Sequence, residues 1–342
     1  MSMIATTTSM LERLPVPDRL MRFGISQLVG RTHRRLTAAR PEADPLFATA
    51  MREFPIARNT QDANDQHYEL PASFFGLVLG PHRKYSGCLF ASDHATLEDA
   101  EVLALSETTA HADLRDGQEI LELGCGWGSL SLFMAARYPN ARITAVSNSN
   151  SQRLYITETA RQRGLGNLTV LTADMNVFAT DTVFDRIVSV EMFEHMANWD
   201  ALLTRARLWL KPGGRLFLHV FTHAHAPYRF DTDDPADWIA RYFFTGGIMP
   251  SHRLIHRFPH LFTVEADWRW GGEHYQRTAD AWLANFDADA PEIETILRGV
   301  YGADAGLWRR RWRMFFLAVS GLFGHEEGRA WGVSHYRLAP AL

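Results

Sequence analysis

The sequence predicts an α/β protein built on a doubly wound, mostly parallel sheet of seven strands, with a helical cap before the sheet and an insertion after the fifth strand. Three observations carry this reading. A short apolar run, Ile120 to Leu123, breaks into three alternate glycines, Gly124, Gly126 and Gly128, and gives way to a helical pattern from Ser129. Strand-like and helix-like segments then alternate to about Val220, and strands separated by ten- to fifteen-residue helices fold as parallel βαβ units. Lys211-Pro-Gly-Gly214 punctuates the last helix and the fifth strand.

Up to about Arg115 the pattern is helical with proline breaks and no strand series, so residues 1–115 read as a cap or lid and 116–342 as the sheet domain. The expected strands are Ile120–Leu123, Arg142–Val146, Leu168–Leu171, Arg186–Val190 and Arg215–Val220, and the helices between them Leu130–Tyr138, Gln152–Arg163 and Trp199–Leu210. Residues 221–259 are rich in His, Asp, Pro and aromatics without a clear strand, and read as an insertion over the carboxyl edge of the sheet. Leu261–Trp268 and Trp331–Leu338 complete the seven strands, joined by helices.

The 342 residues can bury a large core. Lys and Arg number 35 against 39 Asp and Glu, a net charge of -4, so no global field favours nucleic acid. The basic run Arg309-Arg-Arg-Trp-Arg313 reads as the wet face of a helix. Two distant cysteines, Cys88 and Cys125, make no metal spacing and suggest a reduced, cytoplasmic chain. No segment approaches the ~20 apolar residues of a membrane span. Leu11 to Leu36 sets Leu14, Leu20, Met21, Phe23, Ile25 and Leu28 among arginines, which suits a helix on the core better than one on a lipid surface.

Ligands of such sheets bind at the carboxyl ends of the strands. A G-x-G-x-G turn there brings bare backbone against a nucleoside-like ligand at a helix N-terminus. Glu122, one residue before the turn, is a poor neighbour for a pyrophosphate and a good one for a cation. Asn148 and Gln152, after the second strand, offer donors and acceptors to ribose hydroxyls. Asp174 and Met175, after the third, suit the amino group and ring face of an adenine. The fourth strand ends in Glu191-Met-Phe-Glu-His195, which crowds Glu191, Glu194 and His195 at the same edge and points to general acid/base chemistry. His223 and His225 lack the spacing of a helix-borne metal site, and no metal is expected.

With these segments in hand, the chain resembles class I S-adenosyl-L-methionine-dependent methyltransferases with a Rossmann-like sheet, and within them the group joining cyclopropane fatty acid synthases and coclaurine N-methyltransferases. The likeness rests on Tyr68-Glu-Leu-Pro71, Tyr85-Ser86, Leu121 to Ser129, Asn148 to Gln152, Glu191 to Met196, Arg241 to Pro250, Gly272-Glu-His-Tyr275 and Trp331 to His335, in order. It implies S-adenosyl-L-methionine as cofactor and S-adenosyl-L-homocysteine as product. Tyr85, Ser86, Glu122, Gly124, Gly126, Asn148, Gln152, Asp174 and Met175 would hold the cofactor, Glu191, Glu194 and His195 would be catalytic, and Phe244, Tyr275 and Trp331 would face the substrate. An alkyl ammonium, with a pKa near the ~10.4 of lysine, has no lone pair to attack with. Glu194 with His195 is therefore expected to take its proton while Glu191 steadies the charge on nitrogen.

The cyclopropane synthases, by the same resemblance, hold a bicarbonate with Cys, Glu, His and Tyr. Glu194, His219 and Tyr275 match three of these, but Gly87 stands at the Cys position and Cys88 is displaced by one. The leading function is thus N-methylation of a small, partly apolar, tetrahydroisoquinoline-like amine. Methylene or methyl transfer to an unsaturated lipid acyl chain is the alternative, and a non-catalytic cofactor-binding partner a third. The expected partner is the small-molecule amine, with no nucleic acid and no stable membrane insertion. Whether the chain forms a homodimer is left open.

Overall fold

The computed structural model describes residues 12, 14, 16–58, 70–230, 232 and 237–341. Tyr68 and Glu69 of the Tyr68-to-Pro71 segment, and Leu11 of the N-terminal amphipathic stretch, lie outside them. Seven strands form one sheet: β1 (Glu119–Leu123), β2 (Arg142–Ser147), β3 (Leu168–Thr172), β4 (Phe184–Val190), β5 (Leu210–His223), β8 (Phe262–Gly271) and β9 (Trp331–Pro340). Their order is β3-β2-β1-β4-β5-β9-β8. The first five are parallel, and β9 runs antiparallel to both its neighbours. From Ile120 onward β1 is buried, as the middle strand of a sheet covered on both faces must be.

The parallel strands are joined by α5 (Ser129–Arg137) after β1, α6 (Asn150–Gln162) after β2 and α7 (Trp199–Leu208) after β4. The fifth strand differs most from expectation. It starts at Leu210 and runs through Lys211-Pro-Gly-Gly214 to His223, absorbing the expected turn as an irregularity in its pairing with β4, with Gly213 at φ +80°. The glycine lets the strand bulge where L-residues would have turned it away. The insertion, expected to lack strands, carries a two-stranded antiparallel ribbon of β6 (Tyr228–Arg229) and β7 (Ile248–Met249), with the short helix α8 (Trp238–Tyr242) between them in the chain.

The N-terminal helices are α1 (Asp18–Thr37), α2 (Ala43–Met51), α3 (Ala72–Val78) and α4 (Leu97–His111). α1, α3 and α4 share an aromatic core with α9 (Gly272–Ala288), α10 (Ala290–Tyr301) and α11 (Ala305–Phe323), whereas α2 buries Ala48 and Met51 in a second core with Trp199 and Phe258. Phe74 of α3 packs on Trp312 of α11 at 4.9 Å between rings and on Phe286 of α9 at 6.2 Å. On α1, Met21 and Ile25 pack on this core whereas Leu20 and Phe23 are exposed. The basic run lies in α11. Arg313 pairs with Asp18 and Asp287, and Arg311 with Glu12, so the run ties the helix to its neighbours.

Candidate active site

The carboxyl ends of β1, β2, β3 and β4 open into one cavity at the point where strand order reverses between β1 and β4. A doubly wound sheet leaves its crevice there. Gly124 takes φ +79°, and a Cβ on it would stand 2.4 Å from Met192 Cγ. Gly128, at φ +80°, caps α5. Only glycine lets the chain turn this sharply and pass so close to the β4 turn. Glu122 lies buried on the cavity wall, its Oε2 accepting from Ser131 Oγ, and burial pushes its carboxyl up to about 7.

Tyr85, Ser86, Asn148, Gln152, Asp174 and Met175 line the same cavity, with Gly124 and Gly126. Gln152 is buried and oriented: its Oε1 accepts from Ser147 Oγ at 2.6 Å, which leaves Nε2 without a partner among the described residues. Ser129 Oγ and Trp127 Nε1, also on the cavity wall, are likewise buried and unmatched. Buried polar groups left unmatched are costly, and a ligand rich in hydroxyls and ring nitrogens would satisfy these three. The acidic wall at Glu122 completes a site suited to a cationic nucleoside.

Across the cavity stand Glu191 and His195, from the turn after β4. Glu191 has φ +47°, uncommon for a side-chain-bearing residue. Its carboxylate is held from three sides. Gly87 N–H donates to Oε1 at 2.8 Å, the Tyr275 hydroxyl donates to Oε2 at 2.7 Å, and His219 Nε2 lies 3.2 Å from Oε1. Burial raises the Glu191 carboxyl, while the nearby Lys84 charge and these donors pull it back. His195 places its ring 4.4 Å from that of Phe244, which with Tyr275 forms the aromatic wall.

Glu194 is placed differently from its expected role as proton acceptor. It does not line the cavity; its side chain is fully buried and its Oε1 accepts from Phe221 N–H at 2.6 Å. Burial first, and then the charge of Glu191, raise its carboxyl well above the usual range. Of the two carboxyls, Glu191 is the one that faces the cavity. Lys84 went unnoticed in the sequence. It is buried beneath the Tyr85-Ser86 pair, donating to Ser86 Oγ at 2.6 Å, and nothing in local hydropathy marks a lysine as internal.

Trp331, expected on the substrate side, stands outside the cavity. At the start of β9 it pairs with His223 of β5, and its ring meets those of His223, His33 and His325 at 4.8, 5.6 and 5.8 Å. Ligand atoms of His33, His325 and Glu326 approach within 4.8 Å of one another. The hydrogen bonds around them favour a purely protonic arrangement. His223 Nδ1 accepts from the N–H groups of His225 and Ala226, both at 3.2 Å, so its proton sits on Nε2 and points to His33 Nδ1 at 3.2 Å. That leaves the His33 proton on Nε2, facing Glu326 and Thr37, where a metal would need a lone pair.

A seven-stranded sheet of this order, with a glycine turn and unmatched polar groups beside an acidic wall, defines an S-adenosyl-L-methionine-dependent methyltransferase. Residues 57–323 match the family described as mycolic acid cyclopropane synthetase. (S)-Coclaurine N-methyltransferase of Thalictrum flavum subsp. glaucum is 34% identical over 316 residues, covering 91% of this chain and 83% of the relative. Cyclopropane-fatty-acyl-phospholipid synthase of Escherichia coli (strain K12) is 32% identical over 271 residues, covering 78% and 66%. A solved structure of coclaurine N-methyltransferase bound to N-methylheliamine and SAH superposes with a TM-score of 0.91 at 33% identity, covering 98% of this chain and 99% of that one. The chain belongs to the mycolic acid cyclopropane synthetase family.

Proposed function

We propose that this enzyme transfers a methyl group from S-adenosyl-L-methionine to the nitrogen of a small, partly apolar amine of the tetrahydroisoquinoline type. The cofactor, held by the glycine turn, Gln152, Asp174 and Glu122, supplies an electrophilic methyl on a sulfonium. Glu191 takes the proton of the incoming ammonium, and His195 and Phe244 position the amine over it. Glu194 holds the backbone of Phe221. The N-terminal helices, the insertion and α9–α11 act together as the cap over the acceptor.

The placement of Glu191 supports this reading most strongly. By the resemblance, the cyclopropane synthases hold a bicarbonate with the matching His and Tyr; here Gly87 N–H and the Tyr275 hydroxyl donate to a carboxylate belonging to the chain itself, with His219 Nε2 beside it. A built-in base beside an aromatic wall suits an ammonium, and it occupies the donors that a separate anion would need. The names of the plant relatives, coclaurine and pavine N-methyltransferases, agree with an amine acceptor.

Incubation with methyl-labelled cofactor, in parallel with heliamine and with vesicles of monounsaturated phospholipid, tests the proposal. Label in heliamine is expected, and Glu191→Gln lowers it about a hundredfold or more while cofactor affinity stays within about twofold. Label in the lipid alone overturns the amine reading.

A further inference from the structure

Glu191 does not end at the cavity. Its Oε1 lies 3.2 Å from His219 Nε2; His219 Nδ1 lies 2.8 Å from His335 Nε2; His335 Nδ1 lies 2.8 Å from His111 Nδ1; and His111 Nε2 lies 3.3 Å from Glu107 Oε2. The sheet register makes this chain of contacts. His219 of β5 and His335 of β9 are direct cross-strand partners, and His111 reaches them from the last turn of α4. Trp268 stacks on His111 at 3.9 Å with 7° between the planes, and Trp270 lies 4.3 Å from His335. His219 and His335 are wholly buried, while the Glu107 side chain is 40% exposed.

A neutral imidazole has one N–H and one lone pair. Each of these three rings uses both its nitrogens in the chain, so only two arrangements of neutral rings satisfy every link: all N–H groups toward Glu191 with the extra proton on Glu107, or all toward Glu107 with the extra proton on Glu191. One proton passing from end to end converts the second arrangement into the first. We propose that His219, His335 and His111 are a proton path that carries the proton taken up by Glu191 sideways across the sheet to Glu107 at the surface.

The path rests on the amine-methylating reading and adds to it an exit for the proton. In the loaded site the amine N–H proton goes to Glu191 Oε1, Glu191 hands it to His219 Nε2, each ring passes on the proton of its far nitrogen, and one emerges at Glu107. The amine nitrogen keeps the electron pair with which it bonds the methyl carbon. When product leaves and water meets Glu191, the sweep reverses: a proton enters at Glu107 and one leaves from Glu191 into the cavity. The sum is one proton released to solvent per methyl transferred, with no imidazolium stranded inside the protein. Burial holds His219 and His335 well below the ordinary imidazole range and depresses His111 too, in keeping with neutral carriers. The charged and titratable groups facing the path are Lys84, Arg337, Glu107, Glu191, Glu194 and Tyr275.

His111→Ala and His111→Gln cut the path near its outer end without touching the cavity. Both are expected to lower kcat on heliamine about tenfold, leaving KM and cofactor affinity unchanged; added imidazole restores His111→Ala, whose pocket it fits, and not His111→Gln. In the acceptor-free protein, 15N spectra of histidine side chains are expected to show His219 and His335 neutral with their N–H groups in the same sense along the chain, and a changed His335 Nδ1 signal in His111→Ala. Wild-type kcat in both variants, or His219 and His335 pointing in opposite senses, overturns the path. If the wild-type protein leaves heliamine unmethylated, the amine reading fails and the spectra alone decide the path.

Discussion

Replacing Glu122 with glutamine should make the protein more stable and its cofactor site worse. Glu122 is 2% exposed, and its one hydrogen bond among the described residues comes from Ser131. Burial lifts its carboxyl from an ordinary 4.5 to about 7, desolvation outweighing the serine bond. An acid with a folded-state value above its unfolded one contributes stability at low pH that is lost as pH rises between 4.5 and about 7. At ~1.4 kcal/mol per pH unit, that rise corresponds to about 3 kcal/mol. Glutamine keeps the acceptor for Ser131 and carries no charge. The variant should therefore exceed the parent by about 3 kcal/mol near pH 8 and match it near pH 4.5, read from urea midpoints at both. On the proposed reading the buried charge serves the sulfonium, which S-adenosyl-L-homocysteine lacks. Calorimetric titration should show S-adenosyl-L-methionine weakened about tenfold in the variant and the product within about twofold. A stability gain that does not change with pH, or equal weakening of both ligands, refutes this account.

Two further changes probe the cradle itself. Gln152→Ala removes the unmatched Nε2 and should weaken the cofactor about tenfold, the worth of one buried hydrogen bond, and by removing the acceptor for Ser147 Oγ it should also lower stability by about 1–3 kcal/mol. Gly124→Ala forces a Cβ to within 2.4 Å of Met192 Cγ at φ +79° and should cost about 1–3 kcal/mol of stability together with cofactor binding; a variant that melts and binds like the parent contradicts the close approach.

The sheet was legible because its signals are local. Alternate glycines, the apolar run before them and the spacing of the helices all come from short stretches of chain, and Asn148, Gln152, Asp174 and Met175 line the cavity from positions just past strand ends, whereas Tyr85 and Ser86 are suggested by the resemblance alone. Roles set by side-chain direction were not legible in the same way. Glu191 and Glu194 sit three residues apart in one turn, yet Glu191, at φ +47°, faces the cavity and Glu194 the backbone of Phe221. Trp331 was misplaced for a similar reason: its segment matches the resemblance, but its ring faces α1 and a histidine group rather than the cavity. The link from His219 to His335 to His111 joins residues 116 and 224 positions apart and depends on an antiparallel pairing that no local pattern announces.

The division of labour between the two glutamates can be read from one pair of variants. Burial and the neighbouring charge of Glu191 hold the Glu194 carboxyl well above the usual range, and its side chain lies outside the cavity, so it is poorly placed to meet an incoming amine. What Glu194 supplies is the Oε1 acceptor for Phe221 N–H, which holds the end of β5, whose Phe221 ring packs on Phe244 of the aromatic wall at 5.6 Å. Glutamine supplies the same acceptor in the same volume. Glu194→Gln should then keep kcat within about threefold of the parent, and Glu194→Ala, which strands a buried N–H, should lose about 1–3 kcal/mol of stability. If Glu194→Gln instead loses activity as steeply as Glu191→Gln while remaining folded, the proton is taken by Glu194, and the base must be sought behind the cavity wall rather than on it.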